Sequence, residues 1–273
     1  LRTHLGEVVQ GRRALPMSLW PVRWTVQQRS TAALGCAAML LVLSLWAVAV
    51  PLSWAPDPIG PNAEAFAEGA RMTMQLTLVA GAFGLGLGLL AALARRSPVW
   101  LWRRIAGFYI WVMRGTPLLV QVLFVYFALP ELLPFLKLDD FSAACVALAF
   151  NVGAYNAEAI RAGLEAVPQG QVQAARALGL SPWRAFRHVV GPQALRIALP
   201  PLVNNLVALL KDSSLAYAVG VVELTNVGNR VQAASFKPTQ TLLTTAIVYL
   251  LLTTLLTLMS DAIERGMAAD RTR

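Results

Sequence analysis

Charge is scarce in this chain. Only 14% of its 273 residues are Asp, Glu, Lys or Arg, while 57% are hydrophobic. Soluble domains carry about 25% charged residues. The apolar excess must therefore face lipid, and a polytopic membrane protein is expected. Histidine is nearly missing: His4 and His188 are the two present, which leaves little for a metal site. The two cysteines, Cys36 and Cys145, lie within apolar runs and read as small buried or lipid-facing residues without a redox or metal signal. No Gly-x-x-x-x-Gly-Lys-Ser/Thr phosphate loop occurs, so the chain is not expected to hydrolyse ATP or to bind a cofactor of its own. The scattered acids and two histidines form no catalytic constellation of the kind a membrane enzyme needs. Acids are the scarcer charge, 14 against 23 basic residues, for a net charge of +9. Such a surplus suits nucleic acid. In so apolar a chain it reads instead as cations kept on the cytoplasmic side of a membrane, and no nucleic-acid partner is expected.

What is present is a series of long apolar runs. Residues 1–30 form an arginine-bearing arm in which Trp20 and Trp24 could rest at headgroups. No small-residue cleavage site follows a short apolar core there, so no removable signal peptide is expected. Residues 31–50 are apolar and uncharged, about the 20 residues a helix needs to cross hydrocarbon. Pro51 ends that run, and residues 51–68 carry prolines and the acids Asp57, Glu64 and Glu68 with no Lys or Arg. That is an exterior loop by charge bias. A second span covers residues 69–94, where Gly84 and Gly88 make a small-xxx-small pair for close helix packing. Arg95, Arg96, Arg103 and Arg104 mark an interior loop. A third span opens at Met113 and ends near Pro130, with Gly115-Thr116-Pro117 as a helix start or kink.

The fourth span, residues 141–163, is polar in its second half: Asn151, Tyr155, Asn156, Glu158 and Arg161. Glu158 and Arg161 stand three apart and share a helix face. The fifth, residues 197–222, is interrupted by Lys211-Asp212-Ser213-Ser214, a cluster that is expensive in lipid unless paired or wet. Residues 223–238 read as a polar exterior stretch, residues 239–260 as the last span, and Asp261, Glu264, Arg265 and Arg271 as an interior tail. This arrangement places eighteen arginines inside and predicts about six spans with both termini cytoplasmic, in the cytoplasmic membrane. The fold class is thus an all-α membrane bundle. Gln121, Asn151, Tyr155, Glu158, Lys211, Asp212 and Ser213 are the polar residues within spans, hence the candidate substrate path.

Between the fourth and fifth spans lies a long polar stretch. Gln173-Ala174-Ala175 is helix-forming, Gly179 breaks the helix, and Ser181 offers an N-cap with Pro182 at the first helical position. Arg184 follows. The pattern predicts a helix, a turn and a second helix on the basic side of the membrane.

These residues resemble the Glu-Ala-Ala coupling loop of ABC importer permeases. Gln173-Ala174-Ala175, Gly179, Val189 and Pro192 stand in that loop's register, with Gln173 where the family has Glu and Gly191 where it has Leu. Arg114-Gly115-Thr116-Pro117-Leu118-Leu119 is similar to the signature of the polar amino acid subfamily, and Leu210-Lys211-Asp212-Ser213-Ser214-Leu215 to a further family segment. The resemblance implies a five-helix permease core over residues 69–265 with its coupling loop at about 164–192. Residues 31–68 are then an added helix and exterior loop, and residues 266–273 a cytoplasmic tail. It implies import of polar or charged amino acids, driven by ABC ATPase subunits that use ATP and dock on the loop. The further partners are a second permease subunit, identical or related, and an extracytoplasmic substrate-binding protein. The rival readings are an ATPase-independent carrier or channel, and an importer of another small solute such as an opine or amine.

Overall fold

The computed structural model describes residues 26–269, which fold as helices and turns without a strand. Helix α1 (Val26–Ala47) is apolar and continues as the short Ala49–Ser53. Helix α2 (Ala63–Arg95) follows, 33 residues long, about 50 Å at 1.5 Å per residue. It begins ahead of the expected Gly69, because Ala63–Glu68 is helical too and buries Ala63, Phe66 and Ala67 beside its two acids. Next come α3 (Trp100–Gly115), α4 (Leu118–Leu132) and α5 (Asp140–Glu165). The interhelical loop holds α6 (Gln169–Ala177), and a continuous helical run, Pro182–Val219, contains α7 (Gly191–Asp212). Helices α8 (Leu224–Ser235) and α9 (Pro238–Ala269) complete the described residues. The arm with His4, Trp20 and Trp24, and the end of the tail with Arg271, lie outside them.

Five helical stretches are long and apolar enough to cross a membrane, and six if the bent pair α3–α4 counts as one span. One expectation needs correction. Residues 95–114 are not a loop but mostly α3. Trp100, Arg103 and Arg104 share one face of it and Leu101, Ile105 and Phe108 another, an amphipathic pattern that a count of arginines conceals. Most of the polar stretch 223–238 is also helical: it forms α8, capped by a buried acid.

The frame is the parallel pair α2 and α5. Lipid tails are as apolar as leucine, so helices in a bilayer associate through close packing rather than the hydrophobic effect. Here glycine supplies the closeness. A Cβ at Gly88 would lie 2.6 Å from the Asn156 side chain and 3.0 Å from the Gly153 carbonyl; one at Gly84 would strike the Val152 side chain. Gly153 answers from α5, where a Cβ would stand 3.2 Å from the Gly84 carbonyl and 2.7 Å from the Tyr109 hydroxyl. Helix α7 joins the same way at Gly163, where a Cβ would meet the Ala194 carbonyl at 2.7 Å. One core layer gathers Phe66, Leu210, Leu224 and Leu252, and a second Leu76, Val122, Leu148 and Leu209. Helix α1 lies along α9, with Ser30 against Gly266 at one end and Lys237 paired with Asp57 (2.7 Å) at the other. Cys36 is exposed and Cys145 buried.

Candidate functional site: a polar cavity and a displayed loop

The α3–α4 corner is built around a proline. The chain turns by 111° at Gly115-Thr116-Pro117. Pro117 has no N–H to return to the Met113 carbonyl four residues back, so that acceptor is orphaned. Two side chains take it: Gln121 Nε2 donates to Met113 O (2.9 Å), and Asn151 Nδ2 donates to the same oxygen (3.1 Å). Gln121 Nε2 also reaches Thr116 O (3.2 Å) and Thr116 Oγ1 (2.8 Å), and Gln121 Oε1 accepts from Asn151 Nδ2 (3.0 Å). Both amides are buried. They form a brace that ties the corner to α5.

Inside this corner lies a cavity of about 390 Å³. Its polar lining comes from Thr116 at the corner, Asn151 and Tyr155 on α5, and Asn205 and Asp212 on α7. Asn205 Nδ2 donates to Asn156 Oδ1 (2.9 Å), which fixes α7 against α5. The Arg114 guanidinium sits over the Tyr155 ring, 5.4 Å from its centroid. The Asp212 carboxylate makes no hydrogen bond or ion pair among the described residues, so its acceptor oxygens are available to whatever enters.

Of the candidate path residues, Asn151, Tyr155 and Asp212 meet at this cavity. Gln121 stands behind Asn151 as part of the brace. Three others do not line it. Glu158 pairs with Arg161 (2.7 Å), which also holds Glu165 (2.6 Å), at the end of α5 that leads into the loop. Lys211 turns to the α9 side, beside Thr225, Thr245 and Tyr249; neighbours on a helix point about 100° apart. Ser213 is buried and donates its hydroxyl to Leu210 O (2.7 Å), where α7 passes into the tighter 3₁₀ helix Ser213–Val219.

The displayed loop is built from caps. Helix α6 ends when Gly179 adopts φ +76°. Gly179 N donates to Arg176 O (2.9 Å) and Leu180 N to Ala175 O (3.1 Å), the paired bonds of a Schellman ending. Ser181 Oγ then accepts from Arg184 N (3.4 Å), and Pro182 opens the next helix. Ala175 and Ala185 turn inward, while Gln173, Ala174, Gly179, Ser181, Arg184 and Pro192 are exposed. So are large apolar residues: Leu178 is 83% exposed and Trp183 66%, with Trp183 stacked on Phe186 at 6.0 Å. Together they make an exposed apolar knob beside the Gly179 turn. At Gly191, where the family resemblance expects Leu, a Cβ would stand 2.9 Å from the Phe186 carbonyl, because Gly191 closes the π-turn Phe186–Val190.

Sequence reasoning missed Glu223. It is fully buried and caps α8, accepting from Thr225 N and Asn226 N (both 2.8 Å) and from the Tyr249 hydroxyl (2.7 Å). Burial pushes its carboxyl above the usual range, against hydrogen bonds that favour the charge. The signal was there in part: an acid directly before Leu224-Thr225 is an N-cap pattern. Its partner Tyr249 lies in another span and could not be foreseen.

Comparison with known proteins agrees with this arrangement. Residues 84–269 match the family described as binding-protein-dependent transport system inner membrane component. The glutamine transport system permease protein GlnP of Escherichia coli is 41% identical over 209 residues, covering 77% of this chain and 95% of that protein. The arginine transport system permease protein ArtQ of Bacillus subtilis is 36% identical, over 74% and 92% respectively. Among solved structures, the chain superimposes on an amino acid ABC transporter with a TM-score of 0.71 at 36% identity, covering 75% of this chain and 95% of the other. The chain belongs to the family of binding-protein-dependent transport system inner membrane components.

Proposed function

We propose that the chain is the membrane-spanning permease subunit of an ABC importer for polar or charged amino acids. A separate ATPase docks on the loop around α6 and Trp183, and a binding protein delivers substrate to the opposite face. The observation that carries the reading is the cavity under the proline corner. It offers an unpaired carboxylate, Asp212, and amide and hydroxyl groups from Asn151, Asn205 and Thr116; the Arg114 cation sits outside this lining, over the ring of the wall residue Tyr155. An amino acid's ammonium suits the first. Close relatives named for glutamine and arginine transport support the substrate class. Both termini then lie on the cytoplasmic side with the loop, and two permease subunits pair side by side. The apolar knob at Leu178 and Trp183 supports ATPase docking, which converts nucleotide binding into movement of α5 and α7, the helices that flank the loop and line the cavity.

The test is uptake of labelled amino acids into proteoliposomes holding the whole transporter. Asp212→Asn keeps size and removes charge; it lowers uptake roughly ten- to a hundred-fold, the loss expected for one charge-assisted hydrogen bond, with ATPase assembly intact. Unchanged uptake removes Asp212 from the site.

A further inference from the structure

A second cavity, about 440 Å³, opens where α2 turns into α3, at the same end of the bundle as the displayed loop. Its walls are five guanidiniums: Arg95 and Arg96 from the end of α2, Arg103 and Arg104 from α3, and Arg161 from α5, with Trp100 between and Glu165 at the rim. Arg161 is occupied by Glu158 and Glu165. Arg103 Nη1 donates to the carbonyls of Ser97 and Pro98, both at 2.8 Å, and so closes the turn. Arg95, Arg96 and Arg104 form no ion pair with any described acid. Arg95 lies across α3 at Gly107, where a Cβ would meet its Nη1 at 2.8 Å, and Arg104 stacks on Trp100 at 5.4 Å. Both are thereby held toward the cavity. Five cations against two carboxylates leave an excess of three positive charges in one small volume. Like charges so close repel unless an anion joins them.

The surroundings say which anion. One turn along α3 from Arg104 is Phe108, 66% exposed, with Ile105 and Trp111 also exposed. A headgroup phosphate among the arginines would lay its acyl chains on that apolar face. A soluble phosphate would leave it uncovered. We propose that this arginine cluster is a binding site for an anionic phospholipid, its phosphate held by Arg95, Arg96 and Arg104 and its chains lying along α3. Guanidinium forks match phosphate oxygens in pairs, and basic pockets between membrane helices on the cytoplasmic side suit such headgroups. Arg161 forms the wall of the site at the end of α5, the end from which the displayed loop begins.

The test measures lipid retained by the purified transporter in nanodiscs that offer phosphatidylglycerol against phosphatidylcholine. Wild type retains phosphatidylglycerol, and releases it as salt rises from low to high ionic strength, a readout that needs no variant. Arg95→Gln/Arg104→Gln weakens retention roughly thirty-fold, about five-fold for each arginine lost near an anionic surface. Arg176→Gln/Arg187→Gln removes the same charge from the displayed loop, outside the cavity, and leaves retention unchanged. Inorganic phosphate at millimolar concentration does not displace the lipid. Equal losses in the two double variants would reduce the effect to general surface charge and overturn the site. So would salt-insensitive retention or an unaffected Arg95→Gln/Arg104→Gln variant. Displacement by inorganic phosphate would make it a site for a soluble anion instead.

Discussion

At the scale of single residues, the chain invests its buried amides in holding a bend open. Pro117 frees the Met113 carbonyl, and Gln121 with Asn151 recovers it. Gln121→Ala leaves that carbonyl, Thr116 O and an Asn151 N–H short of partners. Each unsatisfied buried group costs about 1–3 kcal/mol, so the detergent-purified variant melts at a lower temperature than wild type, and uptake falls with it. An unchanged melting temperature would show that the brace contributes nothing. The sequence made Gln121 and Asn151 visible as polar residues in apolar runs, and that much placed them near the cavity. It could not show that they bind each other, because the contact joins positions 30 apart through a corner whose angle no local pattern encodes. Asp212 and Lys211 were legible as costly charges. Their turning to different sides of α7, about 100° apart, followed from helix geometry alone.

At the scale of helices, local signals were read well and distant ones poorly. The Gly179 ending and the Ser181-Pro182 start are spelled out within a few residues, so the helix–turn–helix of the loop was legible. Helix α3 was not: its arginines suggested a loop, while its apolar face needed the lipid boundary to make sense. The glycine seam was half legible. Gly84 and Gly88 stood out by spacing, but Gly153, their counterpart on α5, is a lone glycine whose meaning appears only when the helices meet. The seam gives a paired prediction. Gly88→Leu forces α2 from α5, since a Cβ there already stands 3.0 Å from the Gly153 carbonyl. Overpacking of this kind costs typically about 1–3 kcal/mol or more. Gly86→Leu points where nothing lies within 4 Å and is near neutral. Thermal stability of the two variants, side by side, checks the seam; equal effects would contradict it.

At the scale of the molecule, a rigid α2–α5–α7 frame joins the polar cavity to the displayed loop. Helix α5 lines the cavity at Asn151 and Tyr155 and ends at Glu165 beside the loop, and the run that begins at Pro182 in the loop reaches Asp212 at the cavity. A push on the loop therefore has two continuous helices along which to reach the substrate. Helix α1 lies outside this frame, against α9. The central claim is that transport in this chain is driven through that loop by a separate ATPase. The most direct measurement is uptake of labelled amino acid into proteoliposomes, with and without the ATPase and ATP on the loop side, for wild type and for Leu178→Ala/Trp183→Ala. The account predicts uptake only when ATPase and ATP are both present, and joint loss of ATPase co-purification and uptake in the variant. Uptake by the permease without any ATPase would contradict it and make the protein a carrier or channel.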